Sequence, residues 1–84
     1  MEDSCRCYVI YERLRNAERP VGRVEAYSCT EALGKFVPDK CSLHGLHVNK
    51  KTGVCTAIIR EKGAVEKRTF VAYPAELVDK WLKQ

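Results

Sequence analysis

No stretch of this sequence approaches the ~20 consecutive apolar residues that a bilayer-spanning helix requires. Charge-free runs such as Val54 to Ile59 fall far short, so no membrane partner is expected. The chain also lacks the basic and then apolar opening of a secretory signal. It begins Met1-Glu2-Asp3-Ser4, and no apolar block follows before Arg13. The expected location is the cytoplasm. Glycine-rich phosphate loops, paired-carboxylate signatures and nucleotide motifs are missing. A chain of 84 residues leaves little volume for a pocket of the usual few hundred cubic ångströms. Neither enzymatic activity nor a cofactor is expected.

What is there suits one small globular domain over residues 1–84, because two hydrophobic cores cannot be built from so short a chain. With 45% hydrophobic and 31% charged residues, the composition is too apolar for disorder. The formal charge of +4 is unevenly placed: residues 1–42 hold seven basic and seven acidic side chains, residues 43–84 eight basic and four acidic. Five cysteines are many for this length, but an odd count without a secretion signal reads as reduced thiols rather than a disulfide framework.

The element order reads ββαβββα. Cys5 to Arg13 is a strand with Cys7, Val9 and Tyr11 on one face and Tyr8 and Ile10 on the other; apolar groups on both faces predict a central position. A basic loop, Arg13 to Pro20, leads to a second strand, Val21 to Tyr27. Ser28-Cys29-Thr30-Glu31 has the spacing of a capping box, opening a helix whose stripe is Ala32, Leu33, Phe36 and Val37 and which Pro38 stops. Leu43 to Val48, Val54 to Arg60 and Val65 to Tyr73 form a meander with turns at Asn49 to Gly53 and at Lys62-Gly63. Pro74 fits the first position of a last helix with Leu77, Val78, Trp81 and Leu82 on its apolar stripe.

The fold class is therefore α+β, an antiparallel sheet of four to five strands with two helices packed on one face. Leu33, Phe36, Leu77 and Trp81 are expected to meet Val9, Ile59 and Phe70, leaving Tyr8, Ile10, Ile58, Val71 and Tyr73 for an open second face. If each connection reverses direction, the Arg13 to Pro20 loop and Lys62 share one end of the sheet, and Lys50 and Lys51 lie at the other.

Cys41-x-x-His44-x-x-His47 is the most metal-like run, and Cys5 and Cys7 could add thiolates to it. The spacing is not that of paired zinc ligands. Buried or incidental cysteines are the stronger reading, and no metal is expected. Nucleophilic catalysis by Cys41 with His44 lacks an orienting carboxylate.

Arg13, Arg15, Arg19 and Lys62 gather at one end of the sheet, where phosphate contacts would need them. From Thr30 onward, the α-β-β-β-α order is similar to that of the double-stranded RNA-binding domain. That family begins its last helix with lysines that grip phosphates, whereas this helix opens Pro74-Ala75-Glu76. Its function is not carried over. Size and layout also resemble the compact accessory proteins of phages and mobile elements, such as anti-CRISPR proteins; no motif supports the likeness. The leading expectation is a protein-interaction module, an inhibitor or adaptor, using an open sheet face or edge with Tyr8 and Tyr73 as contacts. Nucleic-acid binding through the basic loop is the alternative, and a homodimer is a further expectation.

Overall fold

A strand that is apolar on both faces must be covered twice, and Tyr8 to Tyr11 set up that requirement near the start of the chain. The computed structural model of the chain describes residues 5–37 and 41–82. It contains β1 (Arg6–Arg13), β2 (Glu18–Ala26), α1 (Cys29–Phe36), β3 (Cys41–Asn49), β4 (Val54–Glu61), β5 (Arg68–Pro74) and α2 (Ala75–Leu82). The α+β class and the order ββαβββα match the sequence reading. All five strands form one antiparallel sheet in the order β2-β1-β5-β4-β3. β1 lies inside the sheet, between β2 and β5. β2 and β3 are its edges.

The local signals act as their chemistry dictates. Ser28 Oγ accepts the Glu31 amide at 3.1 Å, and Glu31 Oε1 accepts the Tyr27 amide at 2.6 Å, so the glutamate reaches one residue beyond the cap. Val37 is the C-cap; Pro38, the expected stop, lies outside the described residues. Asn49 Oδ1 accepts from the amides of Lys51 and Thr52, and Gly53 takes a φ of 76° that a side chain would resist. Gly63 does the same at 86° in the β4–β5 turn.

Several boundaries differ from the sequence reading, among them β3, which runs Cys41–Asn49 rather than Leu43 to Val48. β2 begins at Glu18, so the first hairpin closes tightly, with the Leu14 amide bonded to the Ala17 carbonyl at 2.7 Å, and Arg19 is a strand residue rather than a loop residue. β5 begins only at Arg68, after a turn that takes in Val65. Pro74 ends β5 and the last helix starts at Ala75.

The expectation that both helices share one face is corrected. Tyr8, Ile10, Ala57, Ile59, Phe70 and Ala72 form the core beneath Ala32 and Leu33 of α1, where Phe36 meets Phe70 edge-on at 5.5 Å. Side chains alternate along a strand, so Val9, Tyr11, Val71 and Tyr73 project to the opposite side. There Trp81 of α2 meets Tyr73 at 5.0 Å. The chain runs straight from β5 into α2 with no crossover, and Tyr73 and Trp81 draw the helix onto their own side. Tyr8, Ile10 and Val71 are consequently buried, not part of an open face. Only Ile58 and Tyr73 of that expected set keep appreciable exposure.

Coverage is uneven across the sheet. α1 lies over β2, β1, β5 and β4, and α2 over β1 and β5. β3 extends beyond both helices.

Candidate functional site: an uncharged edge beside an apolar groove

β3 reads Cys-Ser-Leu-His-Gly-Leu-His-Val-Asn from Cys41 to Asn49, with no Asp, Glu, Lys or Arg in the run. Seven of its nine residues are exposed and the other two half-buried. Its register to β4 slips at His44, which has no opposite residue, so that Leu43 faces Ile59 and Leu46 faces Ala57. This bulge puts Leu43 and Leu46, three apart, on the same side of the sheet, the side of α1. Val48, opposite Cys55, joins them. These three side chains are 62%, 47% and 39% exposed.

Between this row and α1 runs an open groove of about 310 Å³, lined by Thr30, Leu33, Gly34 and Val37 from the helix side and Cys41, Leu43, Leu46, Ala57 and Ile59 from the sheet. This volume, at the lower end of ordinary ligand pockets, is more than the little expected of so short a chain. Gly34 keeps the groove open: a Cβ placed there meets nothing within 4 Å. Glycine in a helix interior costs roughly 1 kcal/mol against alanine. The lining is almost entirely hydrocarbon, with Thr30 and Cys41 its polar members. Such a groove can take an apolar side chain, while the free backbone groups of β3 can pair with an added strand.

The residues expected to contact a partner are distributed differently. Tyr8 is buried under α1, and that burial raises its hydroxyl pKa. Tyr73 is wedged between Tyr11, 5.3 Å away, and Trp81, and its hydroxyl donates to Glu18 Oε1 at 2.7 Å. Burial first, and the Glu18 carboxylate second, push its pKa up to about 12. Tyr8 thus belongs to the core, while Tyr73 braces α2 against the sheet and stays half-buried.

Arg13, Arg15, Arg19 and Lys62 do lie at one end of the sheet, with Lys50 and Lys51 at the other. Arg13 Nε donates to Glu18 Oε2 at 2.9 Å, which raises the guanidinium pKa. Arg19 donates to Glu12 Oε1 at 3.3 Å. Arg68 forks onto both Glu12 oxygens, at 2.9 and 3.1 Å, reaches Glu61 at 2.6 Å and stacks over the Phe70 ring. Glu12 is only 7% exposed. The Arg68 hydrogen bonds chiefly, opposed by burial, hold its carboxyl below the usual range. This network binds β1, β2, β4 and β5 together and engages Arg19. Arg15 and Lys62 enter no ion pair among the described residues.

The metal-like run is dispersed. Cys5 immediately precedes β1 and Cys7 lies at its start, whereas Cys41 lies opposite Glu61 at the far end of β3. Three strand spacings, roughly 14 Å, separate β1 from β3. His44 sits in the bulge, and both histidines are exposed. Among the described residues no three His, Cys, Asp or Glu side chains gather as metal ligands. Cys29 and Cys55 are buried, and burial, only partly offset by the Thr30 hydroxyl at 3.8 Å, pushes the Cys55 thiol up to about 11. A thiol so held is a poor nucleophile.

Leu43, Leu46 and Val48 do not stand out in the sequence as contacts. The available signal is the length of the charge-free run from Cys41 to Asn49, in a chain where nearly one residue in three is charged. No helix among the described residues is long and apolar enough to cross a membrane. Comparison with protein families, curated proteins and solved structures finds no match to this chain.

Proposed function

We propose that this chain is a non-enzymatic protein-interaction module that accepts an extended segment of a partner along β3, with an apolar side chain of that segment entering the groove beside α1. The observation that carries this reading is the coincidence of an uncharged, uncovered edge strand with an apolar groove opening beside it. Backbone pairing would supply affinity, and the groove would select the side chain. An inhibitor or adaptor of a larger complex works by such contacts and needs no catalytic group. Nucleic-acid binding is the weaker reading, because two of the four basic residues expected to serve it, Arg13 and Arg19, already pair with carboxylates.

The test is quantitative capture from a native lysate, comparing the wild-type chain with Leu46→Lys and Leu43→Lys. A lysine on this row places a charge at the groove mouth without disturbing the core. Proteins retained by the wild type and lost from both variants, with thermal melts unchanged, are the expected result. Equal capture by all three chains overturns the reading. So does material released by nuclease and high salt.

A further inference from the structure

Beyond the strand itself, the cations that flank it carry information about what it takes up. Resting on the reading of β3 as a docking edge, we infer that the segment it accepts is apolar in its middle and acidic at both ends. The middle follows from Cys41 to Asn49, where a partner strand meets no charge and finds Leu43, Leu46 and the groove on one side. A buried lysine or glutamate at those positions would have no counter-ion.

The ends follow from the distribution of ion pairs. At the C-terminal end of β3, Lys50 and Lys51 stand in the β3–β4 turn. At the other end, Arg60 and Lys62 border the surface next to Ser42. None of these four cations is in an ion pair among the described residues, in contrast to Arg13, Arg19 and Arg68. The neighbouring carboxylate at that second end, Glu61, is held by Arg68 at 2.6 Å. Among the described residues, β3 is thus a neutral track with positive charge outside any ion pair at each terminus. Acidic flanks on an incoming strand would meet that charge within a screening length of about 8 Å.

Two other occupants fit less well. Antiparallel pairing of β3 with β3 of a second copy would bring Lys50 and Lys51 of one chain towards Arg60 and Lys62 of the other at both ends, between chains that each carry +4. Pairing of β3 with β2 of another copy meets Pro20, Arg19 and Arg23 along that edge.

The experiment is display of random peptides of about twelve residues, long enough to cover a nine-residue strand and its flanks. Selection is on the wild-type chain, with counter-selection on Leu46→Lys and Gly34→Leu. The second variant blocks the groove from the helix side and keeps the test open should the first fold poorly. The expected clones depend on both positions and carry an apolar centre between Asp or Glu residues. Changing those acids to amides should weaken binding about tenfold near 50 mM salt, with a smaller difference near 200 mM. Lys50→Glu combined with Lys51→Glu and Lys62→Glu should do the same from the protein side.

Clones that depend on the groove but have neutral or basic ends, or affinity indifferent to amidation, overturn the inference and leave the docking edge standing. Recovery of no groove-dependent clone overturns both. A dimer in sedimentation that Leu46→Lys dissociates makes the occupant a second copy, and the acidic-segment inference fails.

Discussion

The two edges of this sheet are built to opposite rules. β2 carries Glu18, Arg19, Pro20, Arg23 and Glu25, bulges at Val21, and lies under α1, whose Phe36 ring stands over Gly22. Each of these features discourages another strand from pairing there: proline removes a donor, charges resist desolvation and the bulge breaks the ladder. β3 shares just one of them, the bulge at His44. Proteins protect sheet edges because open ones aggregate. The bare edge, opposite a guarded one and with a groove at its side, is the feature on which the proposed docking role rests. Charge has been kept off the edge and placed at its ends, where it maintains solubility without blocking the strand.

On the guarded side the largest effect is expected at Glu12, which anchors it. Glu12→Ala leaves the half-buried Arg68 and the exposed Arg19 without their shared carboxylate and should cost about 2 kcal/mol in urea unfolding. Acid should have a related effect. The Glu12 pKa in the folded chain lies below the ordinary value near 4.5, so its contribution is fully present above that value and is lost as pH falls through the lower folded value. Glu12→Gln should flatten that part of the stability profile. If the acid slope below pH 4.5 persists unchanged in the glutamine variant, the network does not hold the guarded side.

Gly22 should come next. A Cβ there would sit 3.1 Å from the Phe36 ring, so Gly22→Val must displace the ring from its edge-on contact with Phe70. Overpacking of this kind costs roughly 2 kcal/mol. The loss should appear in thermal melts together with faster amide exchange in β2 than in β4. A neutral outcome would mean that α1 does not brace the β2 edge.

How much of this was legible beforehand depended on whether the determinant was local. The capping box at Ser28, the Asn49 turn, the two tight glycines and the order of seven elements are set by neighbouring residues, and the sequence reading recovered them. The strand order was hidden because pairing of β1 with β5 joins residues some sixty positions apart, such as Tyr11 and Val71. The placement of α2 was hidden for a related reason. β1 is apolar on both faces, so alternation alone could not assign Tyr8 to one helix and Tyr73's side to the other. The candidate site suffered most. Tyr8 and Tyr73 were expected as contacts because both were assigned to an open sheet face, yet one is core and the other braces α2, while the bulge that aligns Leu43 with Leu46 has no signature in composition.

On the open side the sign of the effect should reverse. Gly34 lies in α1, its missing Cβ directed into empty space at the groove. Gly34→Ala should stabilise the chain by about 0.5–1 kcal/mol through helix propensity alone. A glycine substitution that stabilises on the β3 side and one that destabilises on the β2 side would sharpen the contrast between the edges. A loss at Gly34 would mean that the groove is closed in solution.

The smallest effect on stability is expected where the effect on binding is greatest. Leu46 is nearly half exposed and outside the buried cluster. A lysine there can lay its methylenes along Val37 and Ala57 and keep its ammonium in water. Thermal and urea unfolding of Leu46→Lys should agree with the wild type within about 0.5 kcal/mol. The same substitution at Ile59, which faces Leu43 from β4 and is buried, would place a charge in the core and should prevent folding. The pair measures how far the core extends towards the edge. If Leu46→Lys cost more than about 1.5 kcal/mol, the row on β3 would be a structural wall of the domain. Its exposed apolar side chains would then be serving the fold, and the case for an edge kept open for a partner would lose its premise.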